Sequence, residues 1–266
     1  MEIKAVALDL DGTLLTSDKK ISETNREVLK YLESKGVKII IVTGRTYVSA
    51  KPFAEALDLD SYVIAYNGAK VVDYKNNKVV FELPLEEEYT RDIIQMAKER
   101  GFHINLYQDN RWFVEDLEKE ETKHYSKMTG LTPIRKNFDE FDNYNMTKVT
   151  IQDMKNSEEF NEFCKELKNK FQGKTYTAKS QSFLFELLNK NVNKGLVLEK
   201  VLKSYGISLD ECAAFGDANN DLEMLTMVKY GVAMGNSDFE LKKQVSYTTD
   251  TNDNNGVAKF LKKYFF

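Results

Sequence analysis

The chain has 266 residues, of which 38 are Lys or Arg and 42 are Asp or Glu, so its formal net charge is -4. This length allows one large domain or two modest ones, each with a buried core, and the charge balance gives no broad basic surface for nucleic acid. No apolar run approaches the roughly 18–20 residues that cross a bilayer, and the first predicted strand begins without a preceding signal peptide. Cys164 and Cys212 lie far apart in the sequence and lack metal-ligand spacing, so they fit free thiols in a reducing compartment. We therefore expect a cytoplasmic protein with neither a nucleic-acid nor a membrane partner.

Strand-like and helix-like segments alternate in the first third of the chain. The run Val37–Val42 is almost continuously β-branched and apolar, as is typical of a strand buried on both faces. In chain order, the predicted elements are a strand at about residues 3–9, a helix from the N-cap Ser22 to Lys35, the strand Val37–Val42, a helix at Thr46–Leu57 and a strand at Tyr62–Ala65. These βαβ units indicate a parallel sheet covered by helices.

The middle of the chain has a different pattern. A hairpin, Ala69–Tyr74 with Lys78–Phe81, is joined across Asn76 and Asn77, which tolerate positive φ. From about Leu85 to Ser182 the pattern reads helix, paired strands, helix, strand, helix, strand, with alternating strands such as Lys148–Gln152. This predicts an α+β unit with a half-exposed antiparallel sheet.

The parallel pattern returns after residues 183–188. It comprises a helix at Asn193–Tyr205, a strand at Cys212–Phe215, a helix at Asn219–Met227 and a strand at Tyr230–Ala233. We therefore predict an α/β fold with a Rossmann-like, mainly parallel sheet core formed by residues 1–83 and 186–266. An α+β domain at residues 84–185 is inserted into it.

Two carboxylates, Asp9 and Asp11, stand where the first predicted strand meets a loop. Residues i and i+2 of a strand point the same way, and like charges that close raise each other's pKa unless a cation binds or one group is protonated. Carboxylates with backbone oxygens and water suit Mg2+. Taken alone, Asp-x-Asp-Gly also fits a solvated turn at the end of a strand.

Three further polar segments follow predicted strands or begin predicted helices. Thr43-Gly44-Arg45 offers a hydroxyl and backbone amides to an anion, or is simply a cap and a tight turn. Lys194 lies near a helix start, where the dipole disfavours a cation, which indicates an anionic partner or a solvated lysine. Gly216–Asp221 supplies two acidic groups and two amides, or is a polar loop with an N-cap. In open α/β sheets ligands gather at the carboxyl ends of strands, so these segments can converge.

Taken together, the four segments resemble the haloacid dehalogenase (HAD) superfamily of phosphotransferases, and specifically its Cof-type hydrolases with a large α/β (type IIB) cap. The resemblance covers essentially the whole chain, although the inserted domain matches the cap by size and position only. The matching segments are Asp9–Leu15, Thr43–Arg45, Lys194-Gly195 and Gly216–Asp221, with Asn67–Ala69, Gly235-Asn236 and Asn252–Ala258 as accessory segments.

The resemblance implies a Mg2+-dependent phosphatase of small phosphorylated metabolites, such as sugar phosphates. Asp9 would be the nucleophile that forms an aspartyl-phosphate. Asp11 would be the general acid/base and would carry a proton, while Asp9 stays ionised. The implied phosphate-binding residues are Leu10, Thr43, Gly44, Lys194 and Asn220. The implied Mg2+ site comprises Asp9, the backbone carbonyl of Asp11, and Asp217, with Asp221 in support.

Two other functions fit the same motifs: a phosphomutase, and a non-catalytic sensor of phosphorylated metabolites. Arg45 would either pair with a carboxylate or contact substrate. Asn254-Asn255 stand where many relatives carry an acidic pair. In the inserted domain, His103 and His124 are expected to be structural. Three further side chains of the inserted domain would either face a substrate or pack in the core: Tyr107, Arg111 and Trp112.

Overall fold

A computed structural model describes residues 3–266. In chain order the strands are β1 (Ala5–Leu8), β2 (Lys38–Val42), β3 (Tyr62–Ala65), β4 (Lys70–Asp73), β5 (Lys78–Glu82), β6 (His103–Gln108), β7 (Arg111–Val114), β8 (Pro133–Arg135), β9 (Lys148–Gln152), β10 (Thr175–Gln181), β11 (Leu184–Asn189), β12 (Cys212–Gly216), β13 (Tyr230–Ala233) and β14 (Tyr247–Thr248). The helices are α1 (Glu23–Ser34), α2 (Tyr47–Ala56), α3 (Glu87–Glu99), α4 (Glu120–Thr129), α5 (Glu158–Lys170), α6 (Lys194–Ser204), α7 (Leu222–Met227), α8 (Phe239–Gln244) and α9 (Gly256–Phe265).

The chain separates into two compact units, and the predicted α/β fold is confirmed. The core unit comprises the chain up to Phe81 together with Asn193–Phe266, and the inserted unit comprises Glu82–Val192. The second boundary falls beyond the position predicted at residue 185. The physical reason is that β11 pairs on one side with β10 and on the other with β9, so the whole strand belongs to the inserted unit.

The sheet of the core unit has the strand order β14-β13-β12-β1-β2-β3-β4-β5. β1 is parallel to both of its neighbours, β12 and β2, and all four of its residues are buried. β4 is antiparallel to β3, and β4 and β5 are neighbouring strands at the edge of the sheet, as the predicted hairpin between them requires. Because β1, β2 and β12 are parallel neighbours, their carboxyl ends lie at one edge of the sheet, where ligands bind in such folds.

Three helices of the core unit begin close to their predicted starts, each after a capping side chain. Ser22 caps α1 by accepting a hydrogen bond from Asn25 N, and Thr46 caps α2 in the same way through Ser49 N. Asn193 caps α6 through two backbone amides. The predicted helix at 219–227 is instead a 3-10 turn, Asn219–Asp221, followed by α7. α8, β14 and α9 lie in the tail, for which no element was predicted.

The sheet of the inserted unit has the strand order β10-β11-β9-β6-β7-β8. Apolar side chains of α3 and α5, such as Ile93 and Phe163, pack with the apolar residues of this sheet. The predicted half-exposed character is wrong for the central strand β9, every residue of which is buried. Its Lys148 pairs with Glu186 of β11 at 3.3 Å, and its Thr150 accepts a hydrogen bond from Asn105 Nδ2 of β6 at 2.9 Å. The polar side chains of β9 therefore mark a buried hydrogen-bonded network. Across residues 3–266, no helix is both long and apolar enough to span a membrane.

Candidate active site

The first strand ends before the acidic pair, and the two carboxylates lie in different surroundings. β1 stops at Leu8, and Gly12 takes a φ of +73°, so the expectation that Asp9 and Asp11 share one face of a strand is wrong. Asp9 is 6% exposed, whereas the side chain of Asp11 is 42% exposed. The two groups are therefore available for different chemical roles.

Lys194 brings together carboxylates from two distant parts of the chain. It is the first residue of α6 and is 2% exposed. Its Nζ lies 2.8 Å from Asp9 Oδ1 and 2.6 Å from Asp221 Oδ1. Burial disfavours its charged form, but the two carboxylates outweigh burial and raise the pKa of Lys194. A buried, charged lysine at a helix N-terminus is thus explained by its acidic partners, and it is not solvated.

The loop after β12 is organised around the second of these carboxylates. Asp221 is fully buried, and its Oδ2 accepts hydrogen bonds from Asp217 N at 3.0 Å and Ala218 N at 3.1 Å. Because its Oδ1 is bound to Lys194, both oxygens of Asp221 are engaged. Asp217 in turn accepts a hydrogen bond from Thr13 Oγ1 at 3.1 Å. This arrangement fits Asp221 as a residue that holds the loop and Asp217 as the more accessible ligand.

The acidic groups fit a divalent cation. Ligand oxygens of Asp9, Asp217 and Asp221 all lie within 4.8 Å of one another. Burial, together with the charges of Asp221 and Asp217 and against the pull of Lys194, raises the pKa of Asp9 to about 8. Burial and the charge of Asp221 raise the pKa of Asp217 to about 6. Since one lysine does not offset three carboxylates, a hard cation bound to these oxygens would relieve the excess charge.

The loop after β2 is packed against an asparagine from the loop after β3. Thr43 is buried, and its Oγ1 accepts a hydrogen bond from Arg45 N at 3.2 Å. A Cβ at Gly44 would lie 2.9 Å from Asn67 Oδ1, and the same oxygen accepts a hydrogen bond from Asn220 Nδ2 at 3.0 Å. Asn67 therefore joins two of the predicted phosphate-binding segments.

Asn67 lies in a strained stretch of backbone. Tyr66, Asn67 and Gly68 have φ values of +53°, +55° and +106°, a conformation that costs free energy for residues other than glycine and is concentrated at functional sites. The Asn-Gly dipeptide was visible in the sequence as an accessory segment. The sequence does not reveal that Asn67 joins two loops, because this role depends on contacts across the sheet edge.

Leu10 is a predicted phosphate-binding residue whose side chain is fully buried. Its carbonyl accepts hydrogen bonds from Thr13 N at 3.3 Å and Leu15 N at 2.9 Å. The part of Leu10 suited to a phosphate oxygen is therefore its backbone N–H.

Asp11 is held by two cations. Arg45 Nε and Nη2 lie 2.6 Å and 2.7 Å from its two oxygens, and Lys19 Nζ lies 2.7 Å from Oδ1. Burial favours the neutral acid, but the hydrogen bonds and charges of Arg45 and Lys19 outweigh it and lower the pKa of Asp11 to about 2. Without a bound cation, the protein's own charges therefore favour ionised Asp11 and neutral Asp9, and Arg45 pairs with a carboxylate.

The polar and aromatic residues singled out in the inserted unit have partners within that unit. Trp112 Nε1 donates to Asn105 Oδ1 at 2.9 Å, and His103 Nε2 lies 3.2 Å from the same oxygen. Burial, with a further effect of Lys119, lowers the pKa of His103 to about 4, as suits a neutral structural histidine. The remaining contacts are His124 against the ring of Phe183, Arg111 with Asp109, and Tyr107 beneath the ammonium of Lys148.

Comparison with known proteins points to one family over almost the whole chain. A family model described as haloacid dehalogenase-like hydrolase matches residues 6–261. The 5-amino-6-(5-phospho-D-ribitylamino)uracil phosphatase YcsE of Bacillus subtilis is 30% identical over 266 residues, covering 99% of this chain and 96% of that protein.

Two solved structures share the fold throughout. A haloacid dehalogenase-like hydrolase from Bacteroides thetaiotaomicron has a TM-score of 0.91 at 27% identity, with 99% of this chain and 100% of the other covered. TM0651 from Thermotoga maritima has a TM-score of 0.89 at 28% identity, with 99% and 98% covered.

Proposed function

The chain belongs to the haloacid dehalogenase-like hydrolase family and is a phosphoric monoester hydrolase, and from this premise we propose that it is a Mg2+-dependent phosphatase of small phosphorylated metabolites. The reaction would proceed through an aspartyl-phosphate on Asp9. The observation that carries this proposal is the buried contact of Lys194 with both Asp9 and Asp221. It fixes a carboxylate nucleophile beside a cation and an acidic loop at the carboxyl end of the sheet.

Asp9 is suited to attack phosphorus. Its Oδ1 is held by Lys194, so the carboxylate has a fixed orientation. In the first step a bond forms between an Asp9 oxygen and phosphorus, the bond to the ester oxygen breaks, and the alcohol leaves with a proton. In the second step water attacks phosphorus, the aspartyl-phosphate bond breaks, and inorganic phosphate leaves.

Asp11 is the residue proposed to move the proton. Ionised by Arg45 and Lys19, it is ready to accept a proton from the attacking water. To donate one in the first step it needs a higher pKa, which the negative charge of a bound phosphoryl group would supply. The partial exposure of Asp11 leaves it able to meet the leaving group.

Five further groups would bind and stabilise the phosphoryl oxygens. Lys194 supplies positive charge; Thr43, Asn220 and the backbone amides after Asp9 and Thr43 supply hydrogen-bond donors, which stabilise the transferring group best when fixed in advance. The network through Asn67 fixes the Thr43 loop and Asn220 relative to each other. Asp9, the Asp11 carbonyl and Asp217 would hold Mg2+, with Asp221 in support. When bound, Mg2+ would shield the anionic ester from the carboxylates.

Sugar phosphates and related phosphomonoesters are the proposed substrates. Support comes from YcsE, whose name describes a phosphatase of a phosphoribityl ester.

The test is phosphate release from a panel of phosphomonoesters, including hexose phosphates, pentose phosphates and a phosphoribityl ester, with Mg2+ and with chelator. Asp9→Asn should abolish release while leaving the melting temperature close to that of the wild type, because the amide keeps the shape of the carboxylate. Mass spectrometry of acid-quenched enzyme should find a phosphoryl group on the peptide that contains Asp9. Asp210→Asn, at an exposed position, is the matched control and should retain activity.

Four results would count against the proposal. Lack of turnover for every ester rejects the phosphatase, and wild-type activity in Asp9→Asn rejects the nucleophile. Phosphoryl transfer to a sugar without net release indicates a mutase. Binding of a phosphate ester without turnover indicates a sensor.

A further inference from the structure

The segment that follows Asp9 folds back on itself, and we define Leu10–Lys20 as the catalytic loop. Leu14 N donates to Asp9 O at 3.2 Å, and Thr16 N donates to Lys20 O at 2.9 Å. Lys19, near the end of this loop, reaches back to Asp11. The position of the Asp11 carboxylate therefore depends on the shape of the whole loop.

Three side chains from the C-terminal part of the core unit bind this loop. Asn236 Nδ2 donates to Gly12 O at 2.8 Å, and Asn252 Nδ2 donates to Leu15 O at 2.8 Å. The carboxylate of Asp253 accepts hydrogen bonds from both Ser17 N and Ser17 Oγ at 2.7 Å. The loop is thus held near its start, at its middle and at its turn by residues more than 200 positions later in the sequence.

Asn236 is fixed at both ends of its amide group. While its Nδ2 binds Gly12, its Oδ1 accepts a hydrogen bond from Asn252 N at 3.1 Å. An amide that donates at one end and accepts at the other has one defined orientation. Asn236 therefore joins Gly12 to the segment that also holds Leu15 and Ser17.

The segment that carries Asn236 is itself held in place. Gly235 N donates to Asp250 O at 3.0 Å, and Lys242 Nζ donates to Gly235 O at 2.7 Å. A Cβ at Gly235 would lie 2.7 Å from Thr251 N, so the two stretches of backbone pack directly against each other. Asn236 consequently projects from a rigid support.

We propose that Asn236 is a positioning residue for the active site, which holds the Gly12 carbonyl and thereby the backbone directly after Asp11, with Asn252 and Asp253 completing the support. The proposal rests on the proposed function, because it assigns Asn236 a role in the chemistry of Asp11. It gives a structural role to residues of the Gly235-Asn236 and Asn252–Ala258 segments, whose resemblance to the accessory segments of the family does not itself assign one.

The first test measures the loop without substrate or metal. In Asn236→Asp the carboxylate still accepts from Asn252 N but does not donate to Gly12 O, so hydrogen exchange of the amides of Thr13, Leu14 and Leu15 should become faster by up to about tenfold, as expected for one lost hydrogen bond. Asn236→Ala should have a similar effect. Asn254→Ala is the control, since Asn254 lies in the same tail and its side chain binds Asp250.

The second test separates positioning from a general structural effect. The substrate is a phosphomonoester that the wild type hydrolyses. Asn236→Asp should lower kcat for this ester by up to about tenfold. KM should stay near the wild-type value, because the phosphate-binding groups are untouched. Unchanged loop exchange in both Asn236 variants, or equal losses in Asn254→Ala, would overturn the proposal. If the wild type hydrolyses no ester, the proposed function fails, whereas the exchange measurement still decides whether Asn236 holds the loop.

Discussion

Gly12→Ala is the substitution for which the structure gives the most direct expectation. Gly12 has a φ of +73°, and a Cβ at this position would lie 2.2 Å from Asp217 Oδ2 and 2.7 Å from Asp217 Cγ. The backbone conformation costs an L-residue about 1–2 kcal/mol. The methyl group also requires the Asp217 carboxylate to move, which breaks its hydrogen bond with Thr13 and adds about 0.5–1.5 kcal/mol.

Gly206→Ala is the matched control in the same unit. Gly206 has a φ of +69°, and among the described residues no heavy atom lies within 4 Å of the place that a Cβ would take. Its substitution should therefore cost the backbone contribution alone, about 1–2 kcal/mol. The difference between the two variants isolates the displacement of Asp217.

The assay is the melting temperature with and without Mg2+, together with phosphatase activity. Gly206→Ala should melt a few degrees lower than the wild type, at about 2–4 °C for each kcal/mol, and should keep both its stabilisation by Mg2+ and its activity. Gly12→Ala should lose both. Equal Mg2+ stabilisation and activity in the two variants would refute the inference that Asp217 must lie against Gly12.

Three further predictions concern buried charge. Lys194→Met should lower the free energy of unfolding in urea by about 3–5 kcal/mol, because Asp9 and Asp221 lose their shared cation; an unchanged midpoint would contradict this. With chelator present, stability should fall as pH rises from about 4 to 8: the folded pKa values of Asp9 (about 8) and Asp217 (about 6) exceed the ordinary aspartate pKa of 3.8, so the native state binds more protons than the unfolded state in this window. Mg2+ should flatten this profile of melting temperature against pH. Lys148→Met should destabilise the inserted unit by about 3–5 kcal/mol by leaving Glu186 buried, and the double variant Lys148→Met/Glu186→Leu should recover most of that loss; failure to recover would indicate that other contacts of Lys148 dominate.

Local signals in the sequence predicted most elements of the core unit, up to β13 but not α8, β14 and α9. The ends of α1, α2 and α6 follow from Ser22, Thr46 and Asn193, whose side chains bind backbone amides close by in the chain. β1 and β2 follow from short apolar runs buried on both faces of a parallel sheet. Such signals act over a few residues, so they can be identified in the sequence without knowledge of the fold.

Contacts between residues that are distant in the chain could not be predicted from the sequence. The pairing of Arg45 with Asp11, the position of Asn67 between Gly44 and Asn220, and the reach of Asn236 to Gly12 each depend on which strands become neighbours. The buried polar face of β9 was misread for a related reason: alternation indicates that one face is polar, but whether water or other side chains meet that face depends on what packs there. The residue type predicted the chemistry of each group, and the topology decided its partner.

The reversed pKa order of Asp9 and Asp11 indicates why the proposed activity needs a cation. Lys194 stabilises the ionised form of Asp9, but burial and the charges of Asp221 and Asp217 oppose it and raise the pKa of Asp9. A divalent cation on the same oxygens would lower the pKa of Asp9 and make it a nucleophile. Asp11 is under the opposite influence, since Arg45 and Lys19 keep it ionised until an anionic substrate competes for their charge. Metal binding would thus activate Asp9 and substrate binding would adjust Asp11, so that both carboxylates reach their working protonation states only when both ligands are present.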